Sequence, residues 1–270
     1  MLIILAVLAV VLTAFFIWQN NDIVTTEIEA ANKHVPPSFD GFRILEVSDL
    51  QSKSFGRSQQ RLLELSAAAE PDIIVITGDL MDGHSKELEP AMEFAEKAVD
   101  IAPVYYVSGN HEWLSGRYDE LCGRLEAAGV TVLDNGHKAL EKDGEFIELL
   151  GLKDPTFEGD AAFEAELKKL ADETFGFHIL LSHHPEYIDA YAENRMDLVL
   201  SGHAHGGQIR LPFIGGLFAP EQGWFPKYTS GLYEVGDTSL VVSRGLGNSV
   251  FPLRVFNRPE LVVVTLRSAR

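Results

Sequence analysis

Residues 72–82 read DIIVITGDLMD, and this stretch decides the fold. The run from Ile73 to Thr77 consists of β-branched residues, which predicts a short strand. The run stops abruptly at Gly78-Asp79, where a carboxylate follows the end of the strand. The same pattern, an apolar run that ends in small, acidic or histidine residues, recurs along the chain.

Four further runs end in this way; they stop at Asp49, at Gly109-Asn110-His111, at His183 and at Gly202-His203-Ala204-His205. Helical patterns over residues 58–69, with Ser58 as a candidate N-cap, and over residues 85–99 separate the first three runs. Each step is therefore one βαβ unit with parallel strands. Because ligands bind at the carboxyl edge of such sheets, we expect all five strand ends to meet on one side of a sheet.

Each strand-end motif alone has an ordinary explanation as a turn or a loop. Together they collect carboxylate, amide and imidazole groups that are costly to bury without a partner. A pair of divalent metal ions is the natural partner, and the absence of thiolate ligands argues against a structural zinc site. The predicted metal ligands are Asp49, Asp79, Asn110, His183, His203 and His205.

The rest of the chain shows less regular patterns. Residues 130–133, 136–140 and 145–152 are predicted to form antiparallel strands, residues 163–175 a helix, and residues 239–243 and 260–266 closing strands. Residues 206–236 are rich in Gly, Pro and aromatic side chains, which predicts a long functional loop.

The N-terminus predicts a membrane anchor over residues 1–20, because Thr13 is the one polar side chain in residues 2–18. An apolar run of this length lies at the lower limit for crossing a bilayer. A cleaved signal peptide is the alternative; the missing basic segment before the run and the lack of a clear cleavage site disfavour it. A polar linker is predicted over residues 21–38, followed by one large domain over residues 39–270.

The composition restricts the partners. A formal net charge of −18 repels nucleic-acid backbones, so binding to a nucleic-acid duplex is not expected. An acidic chain can still bind a phosphoester when metal cations in the pocket outweigh the global charge. The single cysteine, Cys122, permits no intrachain disulfide, and the oligomeric state stays open.

The motifs together resemble the calcineurin-like metallophosphoesterases, and within them the membrane-associated branch that includes the YkuE-type phosphodiesterases. The matching stretches, between about residues 39 and 266, are Ser48-Asp-Leu, Gly78-Asp-Leu-Met-Asp82, Gly109-Asn-His-Glu112, Leu181-Ser-His-His-Pro185, Gly202-His-Ala-His-Gly-Gly-Gln208 and the tail Ser243-Arg-Gly-Leu-Gly-Asn-Ser249 with Arg258-Pro-Glu260. The resemblance implies an α/β fold of four layers (αββα), in which two mixed β-sheets lie face to face between helices.

The resemblance also implies roles for the site residues. Asp79 would bridge two divalent ions and share in catalysis; Asp49 and His205 would hold the first ion, and Asn110, His183 and His203 the second. A hydroxide shared by the ions would attack phosphorus, and His111 would bind the phosphoryl group or act as general acid. His184 is predicted to lie at the surface or behind the ligands.

One position departs from the family pattern. The first motif usually reads Asp-x-His, whereas this chain has Asp49-Leu50-Gln51. A Gln carbonyl oxygen is a neutral and harder ligand than imidazole, so Gln51 favours Mn or Mg over Fe or Zn at the first position. Mn is the expected cofactor.

The natural substrate is expected to be an amphiphilic phosphoester. The aromatic loop can form an apolar wall for an acyl chain, and Arg210, Arg244 and Lys227 are candidates for contacting a phosphate. Hydrolysis of UDP-2,3-diacylglucosamine, a reaction of lipid A biosynthesis in related lineages, is one candidate. The alternatives are a phosphomonoesterase or nucleotide phosphodiesterase in which the anchor serves only to locate the protein at the membrane, and a weakly active metal-binding membrane scaffold.

The resemblance favours a single-pass protein with an extracytoplasmic domain, because some relatives are exported.

Overall fold

The computed structural model describes residues 1–248 and 251–269; Ser249 of the tail motif lies outside the described residues. The helices are α1 Leu2–Asn21, α2 Gln60–Ala68, α3 Glu89–Ala98, α4 Asn110–Ser115, α5 Tyr118–Ala127, α6 Asp160–Glu173 and α7 Ile188–Glu193. The strands are β1 Val24–Asn32, β2 Arg43–Val47, β3 Ile73–Thr77, β4 Val104–Val107, β5 Thr131–Val132, β6 Gly136–Lys142, β7 Glu145–Gly151, β8 His178–Leu181, β9 Leu198–Ser201, β10 Arg210–Leu211, β11 Gly215–Gly216, β12 Phe218–Ala219, β13 Gly223–Trp224, β14 Gly231–Val235, β15 Thr238–Val242 and β16 Glu260–Ser268.

Two six-stranded sheets form the framework. The first has the order β1-β16-β2-β3-β4-β5. In this sheet β16 and β2 are antiparallel, and every other pair of neighbouring strands is parallel. The second has the order β14-β15-β9-β8-β7-β6, with four central parallel strands and an antiparallel strand at each edge.

Three apolar clusters separate four layers. The two faces of strand β3 belong to different clusters. Ile73 and Val75 face the second sheet, whereas Ile74 and Ile76 face helices α2, α3 and α5. A third cluster fills the space between the second sheet and helices α6 and α7, with Leu167 and Tyr191 at its centre. The four-layer αββα fold and its mixed sheets are confirmed, and the β-branched runs are strands buried on both faces.

The strand ends that carry the predicted ligands do not share one sheet, so that expectation is wrong. Strands β2, β3 and β4 lie in the first sheet, whereas β8 and β9 lie in the second. Their carboxyl ends meet because the two sheets are stacked face to face. An apolar run predicts a strand but carries no information on which of two sheets receives it.

The predicted linker over residues 21–38 is also wrong for residues 24–32. This segment forms β1, which pairs in parallel with β16 at the edge of the first sheet. Its side chains alternate between partly buried positions such as Ile28 and exposed ones such as Glu27 and Glu29. One face of an edge strand meets water, so its polar residues are compatible with a strand.

Two smaller corrections concern element identity. Residues 131–132 run parallel to β4 in the first sheet instead of pairing with β6, although β6 and β7 form the predicted antiparallel pair. Helix α2 begins at Gln60, and Ser58, with a φ of 50°, caps nothing. The long loop of residues 206–236 contains the hairpins β10/β11 and β12/β13 and the strand β14.

Helix α1 projects from the rest of the protein. Its 20 residues are long and apolar enough to cross a membrane, by length and composition. Only its end is embedded, because Gln19 and Asn20 are its buried residues. These two residues contact the segment around Arg254 and Asn257.

Candidate metal centre

Backbone hydrogen bonds join the loops that follow the strands. The N–H group of Asp49 donates to the carbonyl of Gly78 at 3.1 Å, and the N–H group of Gln51 donates to the carbonyl of Asp79 at 2.9 Å. In the second sheet, the N–H group of Gly202 donates to the carbonyl of His183 at 3.1 Å. The candidate ligands are therefore fixed by main-chain contacts that require no metal.

Five of the candidate ligand residues share an uncommon backbone conformation. Asp49, Gln51, Asp79, His203 and His205 have φ values of 51°, 53°, 51°, 67° and 44°. Each non-glycine residue in the left-handed region costs about 1–3 kcal/mol, and such residues collect at functional sites where the surroundings hold them. These five are among eighteen non-glycine residues with positive φ in the described part of the chain, so the conformation is shared by the candidate ligands but is not confined to them.

Gly78 allows the loops to approach each other. Its φ is 93°, and a Cβ atom at this position would lie 2.7 Å from Nδ1 of His183 and 2.8 Å from the backbone nitrogen of Gly109. Any larger residue would displace a candidate ligand. The glycine before Asp79 is therefore required by both the turn and the close contact.

Asp49, Asp79 and His205 form the first half of the centre. Each is buried, and each offers a ligand atom within 4.8 Å of the others. The Nε2 atom of His205 lies 3.2 Å from Oδ1 of Asp49. Burial lowers the pKa of His205 to about 4, so the imidazole is neutral and can donate a lone pair.

His183 and Asp79 link this half to a second one. The Nε2 atom of His183 lies 3.3 Å from Oδ2 of Asp79, while its Nδ1 atom donates to the carbonyl of Thr77 at 2.7 Å. The His203 ring lies 5.0 Å from the His183 ring, and its Nε2 atom is 2.5 Å from Oε2 of Glu221. Asp79 therefore lies between the two groups of residues.

The buried polar atoms test whether metal ions fit this arrangement. Among the described residues, Gln51 Oε1, Asn110 Oδ1, His183 Nε2 and His205 Nδ1 are buried without a hydrogen-bond partner. Buried polar atoms without a hydrogen-bond partner are rare in folded proteins, and an ion is one partner that explains them. Oxygen and imidazole donors of this kind suit divalent ions, so the residues fit a metal centre.

The electrostatics also favour a cation. Burial acts to raise the pKa of Asp79, but the neighbouring His183 and His111 hold it well below its ordinary value. Conversely, burial acts to lower the pKa of His183, and the carboxylates of Asp79 and Asp49 raise it well above its ordinary value. The carboxylates thus attract positive charge, which a divalent ion supplies as well as a proton does.

Glu112 supports the turn that presents Asp79. Its carboxylate accepts from the N–H groups of Asp79, Leu80 and Gly109 at 2.9, 2.8 and 2.8 Å. Burial and the charge of Asp79 raise the pKa of Glu112 to about 8. This supporting role escaped the sequence analysis, in which Glu112 appears only as the last residue of the Gly109-Asn-His-Glu112 motif.

A backbone N–H group fixes the orientation of the His111 ring. The N–H group of Gly83 donates to Nδ1 of His111 at 3.1 Å, which places the proton of the neutral ring on Nε2. That Nε2 atom lies 4.0 Å from Oδ2 of Asp79, and Asp82 lies 3.5 Å from the other nitrogen. The proton-bearing nitrogen therefore faces the candidate metal centre.

His184 takes the second of its two predicted positions, behind the ligands and not at the surface. It is buried, and its ring stacks on His203 with 4.0 Å between ring centroids. Its nitrogens lie 2.9 Å from Asp154 and 2.6 Å from Glu186, and these carboxylates raise its pKa to about 9 although burial opposes them. His184 thus lies directly behind a candidate ligand.

The acidic residues behind the histidines escaped the sequence analysis. Asp154, Glu186 and Glu221 lie far apart in the chain and show no spacing that sets them apart from surface carboxylates. A second group of possible ligand atoms, from His184, Glu186, His203 and Glu221, arises from this arrangement. Only the folded chain brings these residues together.

The predicted phosphate-contacting residues have partners within the protein. Arg244 donates to Glu260 at 2.6 Å, and Arg210 donates to the carbonyl of Gly206 at 2.9 Å and to Thr229 at 3.2 Å. Lys227 lies over the ring of Tyr228. Substrate contacts for these residues stay predictions.

Comparisons with known proteins agree with this geometry. Residues 42–207 match the model of the calcineurin-like phosphoesterase family. The chain is 36% identical over 256 residues to the metallophosphoesterase YkuE of Bacillus subtilis (strain 168), which covers 91% of this chain and 86% of that protein. It is 30% identical over 234 residues to the phosphodiesterase YaeI of Escherichia coli (strain K12), with 83% and 82% covered.

A longer relative also matches. The chain is 30% identical over 257 residues to a transmembrane protein with metallophosphoesterase domain of Danio rerio, covering 90% of this chain and 57% of that protein. Among solved structures, TT1561 of Thermus thermophilus superimposes with a TM-score of 0.52 at 16% identity, covering 76% of this chain and 90% of that one. At this identity the likeness concerns the fold.

Proposed function

Because the chain belongs to the calcineurin-like phosphoesterase family and is a metal-dependent phosphoester hydrolase, we propose that it is a phosphodiesterase or pyrophosphatase with two divalent ions joined by Asp79. The family uses a dinuclear divalent metal centre. The proposed ligands of the first ion are Asp49, Gln51 and His205, and those of the second are Asn110, His183 and His203.

One observation supports this assignment above the others. Asp79 offers a ligand atom within 4.8 Å of atoms from Asp49 and His205, and its Oδ2 atom is 3.3 Å from Nε2 of His183. A carboxylate with two oxygens can bind one ion through each of them. Asp79 is therefore the residue proposed to bridge the ions.

The residues around the ions have separate tasks. When bound, two divalent ions lower the pKa of a water molecule and polarise the phosphoryl oxygens. Glu112 keeps Asp79 in place through three backbone hydrogen bonds. His111, with its proton fixed on Nε2 by Gly83, donates a hydrogen bond to the phosphoryl group or a proton to the leaving oxygen.

Hydrolysis of bis-p-nitrophenyl phosphate tests this proposal. The full chain, purified in detergent, is assayed with Mn, Mg, Zn and Fe in turn, beside Asp79→Asn and the exposed control Asp172→Asn. We expect metal-dependent turnover in the wild type and the control, and a loss of at least about 100-fold in Asp79→Asn, since both ions lose a ligand. Equal turnover in all three proteins would contradict the proposal.

Manganese is the proposed metal because of Gln51. Its Nε2 atom donates to Asp79 at 2.8 Å, which leaves Oε1 buried and free to act as a ligand. Gln51→His should raise the affinity of the first position for Zn and Fe relative to Mn, because imidazole is the softer ligand. Competition with a chelator measures these affinities; tight iron binding by both positions of the native protein would count against the idea.

The proposed substrate is amphiphilic. Phe213, Phe218, Trp224 and Phe225 are exposed on the loop that follows the last candidate ligands, where they can contact an acyl chain. UDP-2,3-diacylglucosamine is a candidate of this chemistry. A larger kcat/KM for such a lipid than for soluble nucleotide diesters supports the proposal, and the reverse ranking favours a nucleotide phosphodiesterase or a phosphomonoesterase.

Helix α1 is proposed to anchor the protein in a membrane as a single-pass segment, with an extracytoplasmic domain. Its length, its apolar composition and the transmembrane protein named among the relatives support the single-pass anchor. The extracytoplasmic side is proposed only because some members of the family that the motifs resemble are exported. A scaffold with little activity is the remaining alternative, and the orientation of His111 disfavours it. A binding module has no use for a proton held toward the metal centre.

A further inference from the structure

The end of helix α1 is joined to the loop that carries a candidate metal ligand. The side chain of Gln19 accepts from the N–H group of Asn257 at 3.2 Å. The Asn257 side chain in turn donates to the carbonyls of His205 and Gln208 at 2.7 and 3.0 Å. One residue therefore connects the proposed anchor with the metal-binding loop, so the two cannot move independently.

A contact between aromatic rings indicates how close this junction lies to the apolar, proposed membrane-spanning part of α1. The Phe256 ring lies 5.7 Å from the Phe15 ring, and Phe15 lies inside the apolar part of α1. At 1.5 Å per residue, Phe15 lies about 4.5 Å closer than Trp18 to the N-terminal end of the helix, and so deeper in its apolar part. If the apolar part of α1 lies in a bilayer, Phe256 reaches the membrane as well.

Phe256 is one of six exposed apolar residues on two neighbouring loops, 213–225 and 251–256, which we call the apolar rim: Phe213, Ile214, Trp224, Phe225, Phe251 and Phe256. Their exposed fractions are 109%, 58%, 72%, 66%, 44% and 56%. Exposed apolar side chains that lie near one another mark an interaction site, because their removal from water is favourable. Trp and Phe are also the side chains found at membrane–water interfaces.

Backbone hydrogen bonds connect the rim with the junction. The N–H group of Arg210 donates to the carbonyl of Val255 at 3.0 Å, beside Phe256. Leu217 donates to Ile209 at 2.9 Å, and Phe225 donates to Leu217 at 2.8 Å. The loop that carries Phe225 is thus joined by backbone hydrogen bonds to the segment that carries Phe256 and contacts α1.

We propose that the apolar rim inserts into the interfacial layer of the leaflet that α1 enters, which holds the metal centre against the membrane surface. The inference rests on the proposed anchoring by α1 and is independent of whether the centre hydrolyses a phosphodiester. Because the net charge of the chain is −18, anionic lipids repel the domain as a whole. Docking is therefore driven by apolar burial and persists at high salt.

Quenching of tryptophan fluorescence by brominated phosphatidylcholine tests the proposal. The chain has three tryptophans, Trp18, Trp113 and Trp224. Full-length variants that retain one of them, with Phe at the other two positions, are reconstituted in nanodiscs made of the brominated lipid. Circular dichroism confirms that each variant is folded, without reference to enzymatic activity.

A matched control reports on the opposite end of the domain. Phe175 is 70% exposed and precedes the amino end of β8, whereas the metal centre follows the carboxyl ends of the strands. In the control variant, Phe175→Trp is combined with Phe at all three native tryptophans. Its emission reports contact between lipid and the face remote from the centre.

We expect the emission of Trp224 to be lost to an extent comparable with that of Trp18, at low and at high salt, while the control at position 175 keeps its emission. Quenching of Trp18 without Trp224 would overturn the docking but leave the anchor. The docking would also be overturned if neither Trp18 nor Trp224 were quenched, or if positions 18, 175 and 224 were quenched equally. Hydrolysis of a soluble diester by the same protein decides the proposed function separately.

Discussion

At the scale of single residues, the second nitrogen of each candidate ligand histidine decides which nitrogen can face a metal. Nδ1 of His183 donates to a backbone carbonyl, so in the neutral ring, the form that binds a metal, Nε2 carries the lone pair. In His203 the roles are reversed, because Nε2 contacts Glu221, so Nδ1 would be the nitrogen available to the proposed ion. Such partners fix the tautomer and the orientation of a metal-binding imidazole.

Glu221→Ala should therefore weaken metal binding about 10–100-fold, because His203 loses the partner that fixes its tautomer. Glu221→Gln should weaken it less, since an amide oxygen can still accept the proton of Nε2. Isothermal titration with Mn²⁺ measures the effect, with Glu164→Ala on the exposed face of α6 as control. If Glu221→Ala bound Mn²⁺ with unchanged affinity, Glu221 would have no role in orienting His203 for metal binding.

At the scale of secondary-structure elements, sequence patterns predicted what the strands bury and missed what packs behind them. The runs before Asp49, Asp79, Asn110, His183 and His203 are strands with buried, mainly apolar side chains on both faces. Strand β1 was missed because one of its faces is exposed and polar. Long-range partners such as Glu221 for His203 leave no periodic trace, so the sequence could not reveal them.

The turn between β3 and Asp79 provides a test of stability. Gly78→Ala should destabilise the protein by more than about 3 kcal/mol, because a Cβ atom would lie 2.7 Å from His183 in addition to the strained φ of 93°. Gly144→Ala is the matched control, since its φ is 84° but no atom lies within 4 Å of the new Cβ. It should cost about 1–2 kcal/mol. Urea unfolding in the presence of a chelator compares them; equal losses would show that packing at Gly78 is loose.

The segment between β5 and β6 has a pH dependence of its own. Burial raises the pKa of Asp134 to about 6, although its hydrogen bonds from Ser108 and Tyr118, at 2.8 and 2.7 Å, oppose the shift. The folded protein then binds this proton more tightly than the unfolded chain, whose Asp pKa is about 4. Its stabilising effect is complete below about pH 4 and is lost as the pH rises to about 6.

Asp134→Asn should remove this dependence, because the amide does not titrate. The difference in unfolding free energy between wild type and variant should therefore change by about 2 kcal/mol between pH 4 and pH 6, in the direction that the wild type weakens. Urea unfolding at several pH values measures it. Parallel curves for the two proteins would show that Asp134 keeps an ordinary pKa.

At the scale of the whole molecule, stacking of two sheets brings together ligands that the chain separates by up to 156 residues, from Asp49 to His205. The order of motifs predicted the family fold and the candidate ligands, whereas the face-to-face sheets came from the resemblance and not from periodicity. The connection from α1 through Asn257 to the metal-binding loop was not predictable, since no local pattern marks it. It makes the proposed anchor part of the architecture around the centre.

The most direct test of the two-metal centre is a titration of the metal-free, full-length protein with Mn²⁺, in which bound metal and hydrolysis of bis-p-nitrophenyl phosphate are measured on the same samples. Two equivalents should bind, and hydrolysis should appear as the second binds, because Asp79 lies between both groups of candidate ligands. Full activity with one equivalent or with none would contradict the account.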